Sequence, residues 1–168
     1  MGFRLFCCSV IVSCSVLFGL SMRHRLFLRL QSLEYFREYF RSVRTYISHV
    51  GMSLDEIVLR LDTGDSCRQF SRLLGEKCQQ SSFPSAFSDS LLCLKESLCL
   101  TDADIHLLSS VADKLSFSDL DGALEYLGLA DEQLLSLIES AEMSLKSDGR
   151  LYVVLSISCG SVAALLLL

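Results

Sequence analysis

Four aspartates, Asp102, Asp104, Asp119 and Asp121, come closest to a pattern that could do chemistry, because grouped carboxylates are what a hard cation such as Mg²⁺ requires. Each stands at the start of a predicted helix, where a negative charge complements the helix's positive end, and that placement already accounts for all four. The three histidines are too scattered for a metal triad: His24 flanks an apolar segment, His49 lies near a helix end and His106 falls between apolar positions. Solvent-facing or interfacial roles suit them better. No glycine-rich loop ends in Lys-Ser or Lys-Thr, so nucleotide phosphates have no cradle. Of eight cysteines, Cys7, Cys8, Cys14 and Cys159 sit in apolar segments, while Cys67, Cys78, Cys93 and Cys99 lack the two-residue spacing of zinc sites. They read as small apolar residues, kept as thiols in a reducing compartment. The expectation is no catalytic, cofactor-binding or metal-ligating residue, and a protein that is not an enzyme.

The elements around these residues say where the chain resides. Leu5 to Met22 and Leu151 to Leu168 are each eighteen residues without a charge, close to the roughly 20 needed to cross a hydrocarbon core. The first holds nine Leu, Ile, Val or Phe residues and the second ten, which favours insertion in both. Domain boundaries follow: a transmembrane helix over 4–22, a helical domain over 23–150 and a second transmembrane helix over 151–168. Two alternatives stay open for the first segment. Arg4 with Gly19-Leu20-Ser21 fits a cleaved signal peptide, and Ile11-Val12-Ser13-Cys14 resembles a lipoprotein box behind a short apolar run.

Orientation comes from the cations. Arg23, His24, Arg25, Arg29, Arg37, Arg41 and Arg44 crowd the inner flank of the first segment, and Lys146 and Arg150 stand on the same side of the second. The positive-inside rule places the middle domain in the cytoplasm. From Arg23 to Val50 the net charge is +4, which suits anionic membrane lipid, and from Gly51 to Arg150 it is −10, which repels nucleic acid.

Inside the middle domain apolar residues recur at three and four, the helical period. Leu26, Leu30, Leu33, Phe36, Phe40, Val43, Ile47 and Val50 extend the first span into a long amphipathic helix ending at Gly51. A helix lying on the membrane surface is a rival reading of that stretch. Ser53 with Glu56 caps a short second helix, and Ser66 to Gln80 forms a third on Phe70, Leu73, Leu74 and Cys78. Pro84 opens a fourth through Phe87, Leu91, Leu92 and Leu94; Thr101 caps a fifth on Ile105, Leu108, Val111, Ala112 and Leu115. Ser118-Asp119 begins a sixth through Leu120, Leu124, Leu127, Leu134, Leu135, Ile138 and Leu145, with an interruption at Gly128. No window alternates as a strand does. The fold class is all-α, a helical bundle flanked by two transmembrane helices. Within the spans, Ser156, Gly160 and Ala164 form one small-residue stripe, and Ser9 with Ser13, or Ser15 with Gly19, form others. Such stripes let helices approach closely, so either the two spans pack together or copies of the chain associate.

This plan resembles the stage III sporulation protein AB family over essentially the full chain. The resemblance rests on the order of Ile47, Ser53-Leu54, Ala86-Phe87, Leu115-Ser116 followed by Asp119, and Arg150 before a glycine-containing span. It departs where Tyr46 stands for an acid, Ser53 for proline, Phe87 for tryptophan and Ser116 for glycine, and where a glutamine after Asp119 is missing. The resemblance implies a part in endospore formation, in the mother-cell membrane around the forespore. It also implies a platform or scaffold subunit similar to those of type II secretion and type IV pilus machines, with a cytoplasmic ATPase and other membrane subunits as partners, and it transfers no catalytic residue. The competing class is a membrane-anchored regulatory or enzymatic domain unrelated to secretion.

Overall fold

The structure, a computed structural model, describes residues 2–50, 68–117 and 120–167, and among these every regular element is a helix. In order they are α1 (Gly2–Val50), α2 (Arg68–Cys78), α3 (Phe83–Leu94), α4 (Asp102–Phe117) and α5 (Leu120–Leu167). The all-α expectation is met. The helix expected from Ser53, and the cap expected at Ser118-Asp119, lie outside the described residues.

The two terminal helices are long for a physical reason: Leu20 to Val50 contains neither glycine nor proline, and α5 contains no proline. Gly128 does not interrupt α5, contrary to expectation. A mid-helix glycine costs only about 1 kcal/mol against alanine, and its buried neighbours Leu127 and Ala130 hold that turn to the core. Both helices are long and apolar enough to cross a membrane, and their most apolar stretches are only 6% and 17% buried. Core helices of a soluble domain would be mostly covered, so this exposure fits a two-span membrane protein.

The chain divides into two compact units, Arg29–Glu139 and the pair of terminal stretches Met1–Leu28 with Ser140–Leu168. In the first, Leu33, Phe36, Phe40, Val43 and Ile47 of α1 are buried at the expected helical spacing, joined by Tyr39. Phe87 of α3 is the hub of an aromatic cluster, with ring centroids 5.3 Å from Phe70, 5.6 Å from Phe83, 5.9 Å from Phe40 and 6.2 Å from Phe36. Aromatic pairs at these separations contribute about 0.5–1.5 kcal/mol each beyond the area they bury. A single ring thus ties α1, α2 and α3 together. Helix α3 packs on both α2 and α4, and all five apolar positions expected on α4 are buried. Two expectations need correction: Leu92 and Leu135 face solvent. The register of α3 is set by Phe83, Ala86, Phe87 and Leu91, which turns Leu92 outward; on α5 the small residues Ala123 and Ala130 fill interior positions instead.

In the second unit the small-residue stripes meet. A Cβ on Gly19 would stand 3.1 Å from the Ser156 Cβ and 3.1 Å from the Tyr152 carbonyl, and one on Gly160 would stand 2.8 Å from the Ser15 Cβ. These approaches have no room for a side chain. The Ser15 hydroxyl donates to the Ser156 carbonyl across the same crossing. Of the two arrangements open at the outset, the spans packing on each other is realised here through Ser15, Gly19, Ser156 and Gly160. The Ser9 and Ser13 stripe does not take part: both residues are exposed, and the Ser13 hydroxyl returns to the Ser9 carbonyl at 2.9 Å.

Candidate interaction site

The polar residues with the most elaborate surroundings are arginines of α1 that border its apolar stripe. Arg29 Nε donates to Asp104 Oδ2 at 2.8 Å and its Nη2 to Oδ1 at 2.9 Å, a two-pronged pair in which the aspartate side chain is fully buried. Asp104 is also the third residue of a reciprocal helix cap: its carboxylate accepts from the Thr101 N–H at 2.9 Å, while its own N–H donates to the Thr101 hydroxyl at 3.3 Å. Burial pushes this carboxyl up, but the Arg29 hydrogen bonds and those from Thr101 outweigh burial and hold it below the usual range. The same hydrogen bonds raise Arg29 against the cost of its own burial.

A neighbouring contact fixes the turn before α4. The Ser32 hydroxyl donates to the Leu98 carbonyl at 3.0 Å in a buried setting. That turn closes as a Schellman motif, with Leu100 N–H on the Lys95 carbonyl at 3.2 Å and Cys99 N–H on the Glu96 carbonyl at 3.3 Å. Cys99 takes the left-handed position usually given to glycine, φ 53°.

Two turns beyond Arg29 along α1, Arg37 and Arg41 share Asp131 of α5. Arg37 Nε lies 2.8 Å and Arg41 Nε 2.9 Å from Asp131 Oδ1, and each places Nη2 on Oδ2, at 3.3 and 3.0 Å. Hydrogen bonding from Arg37, against the cost of burial and with help from Arg41, holds Asp131 down at about 2. Beside this cluster lies a groove of about 400 Å³ bordered by Glu34, Arg37, Glu38, Arg41, Thr45 and Ile138. Charges of both signs over one buried isoleucine suit a contact with another protein better than a small-molecule site, which is mostly apolar.

These pairings change the meaning of the basic stretch. Arg29, Arg37 and Arg41 are held by aspartates of the same unit, so their charges belong largely to the fold. Their position at the border of the apolar stripe, and an acid three residues after Thr101, are the sequence signals that could have revealed it. Of the aspartates first singled out, Asp104 is buried in its cap and Asp102 is exposed with Lys95 as its ion-pair partner. Asp121 is exposed in the first turn of α5, and Asp119 lies outside the described residues. The structure does not bring the three described aspartates into one site. His24 and His106 are exposed. Among the described residues no three His, Cys, Asp or Glu side chains gather where they could hold a metal ion, and Cys14, Cys78, Cys93, Cys99 and Cys159 are not in disulfides. Of these five, Cys78 and Cys99 are half-buried, and the expectation of cysteines as buried small residues fails for Cys93, which is exposed and takes a contact from Lys77 Nζ at 3.5 Å.

The Tyr39 hydroxyl is enclosed in the aromatic cluster with no hydrogen-bond partner among the described residues, and burial drives its pKa far up.

Compared with known proteins, the chain matches the family model of stage III sporulation protein AB over residues 4–168. No curated protein and no solved structure matches it.

Proposed function

The chain belongs to the stage III sporulation protein AB family, which is not a known enzyme family, and from that premise we propose that this sporulation-stage protein is a non-enzymatic membrane platform. It holds a cytoplasmic helical domain at the mother-cell membrane around the forespore and docks a cytoplasmic ATPase and other membrane subunits of a secretion-like complex. The observation that carries the reading is the family match through both apolar ends, together with a folded unit, Arg29–Glu139, between two mostly exposed apolar helical stretches. The groove beside Asp131 is the surface this reading assigns to protein docking.

Affinity capture of the full-length protein from sporulating cells tests it. The platform reading expects an ATPase and membrane subunits to be recovered together, and expects charge reversal at Glu34 and Glu38 to weaken that recovery. Capture without any ATPase, from cells whose sporulation survives deletion, overturns it. A reporter fused after Leu168 tests the orientation separately: it should be active outside the cytoplasm, and activity inside reverses the topology.

A further inference from the structure

Arg23, Arg25 and Arg150 are exposed, and their side chains make no ion pair or hydrogen bond among the described residues. In this they differ from Arg29, Arg37 and Arg41. All three lie in the unit formed by Met1–Leu28 and Ser140–Leu168, at the end of its two apolar stretches. The stem of Arg23 packs across the helix pair onto Gly149, where an added Cβ would stand 3.4 Å from the Arg23 Cγ. That contact brings the Arg23 stem to the turn of α5 that carries Arg150, the residue following Gly149. Two acids share this end of the unit: Glu142 is taken by Lys146 at 2.6 Å, and Asp148 accepts from the Ser147 hydroxyl at 3.1 Å. Among the described residues neither acid forms an ion pair with Arg23, Arg25 or Arg150.

Apolar side chains stand next to them along the same helices. Leu20 is 47%, Phe27 49%, Leu151 57% and Tyr152 43% exposed. Exposed aromatic rings and unpaired arginines at the end of an apolar stretch suit the boundary between acyl chains and headgroups. Guanidinium groups bind phosphate through paired N–H donors. We infer that Arg23 and Arg150, supported by Arg25, form a site for the headgroup phosphate of an anionic glycerophospholipid, whose acyl chains lie along Phe27 and Leu151. A free phosphate has no use for these apolar neighbours. The inference rests on the membrane reading above.

Native mass spectrometry of the full-length protein in micelles, titrated with phosphatidylglycerol or phosphatidylcholine, tests it. The wild-type protein should retain phosphatidylglycerol preferentially, with the preference falling as salt rises. Each arginine contributes about fivefold, so R23Q/R150Q should lose about 25-fold and keep at most the roughly fivefold preference that Arg25 supplies. R23K keeps the stem on Gly149 and the charge, and should lose less than R23Q. Equal retention of the two lipids by the wild-type protein, or an undiminished preference in R23Q/R150Q, overturns the site. Displacement of bound lipid by millimolar inorganic phosphate assigns it to free phosphate and overturns the lipid. Alkaline carbonate washing of membranes separates the premises: release of the chain overturns both readings, whereas an embedded chain without lipid preference overturns this one alone.

Discussion

Replacing Arg29 by glutamine should reverse the pH dependence that Asp104 lends to the helical unit. In the wild-type protein the Asp104 carboxyl is held below its ordinary range, so its contribution is fully present above the unfolded pKa of about 3.9 and is lost as pH falls through the lower folded value. Burial is the largest influence on this carboxylate and acts in the opposite direction; the guanidinium is what overcomes it. In R29Q burial prevails, the folded pKa rises above the unfolded one, and the ionised carboxylate becomes a burden near neutrality that is relieved as pH falls. Removing one partner of a buried ion pair typically costs 3–5 kcal/mol. Here the arginine side chain is 19% exposed and the Thr101 N–H continues to donate to the carboxylate, so the low end applies, about 3 kcal/mol at about pH 7. The assay is native-state hydrogen exchange of the full-length protein in micelles, read at the first turn of α4, where the Ile105 N–H bonds the Thr101 carbonyl at 3.1 Å. The wild-type to R29Q gap in opening free energy should be widest at about pH 7 and shrink towards about pH 4.5. A gap below about 0.5 kcal/mol, or one that stays constant with pH, refutes the reasoning.

Three further outcomes are expected. Y39F removes a buried hydroxyl that has no partner among the described residues, so exchange protection of the aromatic core should hold or rise by up to about 1 kcal/mol; a loss above that range would reveal a partner. C99G relieves the left-handed backbone at the Schellman turn and should stabilise the α3 to α4 connection by about 1 kcal/mol, with C99A close to neutral, as measured by exchange at Leu100. G160L places a branched side chain where even a Cβ lies 2.8 Å from the Ser15 Cβ, so a disulfide engineered between the span halves should form slowly or not at all in the variant; unchanged crosslinking contradicts the packed crossing.

How much of this was legible in the sequence depends on the length scale of each interaction. Helix content, the burial of Leu33, Phe36, Phe40, Val43 and Ile47 in one stripe, and the cap at Thr101 all follow from local spacing, because a helix of period 3.6 maps sequence directly onto faces. The exposure of the terminal apolar stretches was likewise readable from composition. Leu92 and Leu135 were misplaced because they sit at the margin of an apolar stripe, where the register of the neighbouring helix decides which edge is covered.

The charge pattern shows the division most clearly. Seven basic side chains cluster after the first apolar segment, a pattern read directly from residue order, and electrostatics near a membrane gives that cluster a direction. Which of them remain available depends on how the helices pack. Arg29 meets Asp104 across 75 residues and Arg37 meets Asp131 across 94, separations over which no local rule operates. The pairing arises because packing the apolar stripe of α1 brings its flanking arginines against the first turn of α4 and the first quarter of α5, and a carboxylate desolvated there requires a cation. Arg23, Arg25 and Arg150 escape that fate among the described residues: in their unit Glu142 pairs with Lys146, and Asp148 accepts from Ser147 and forms no ion pair with them.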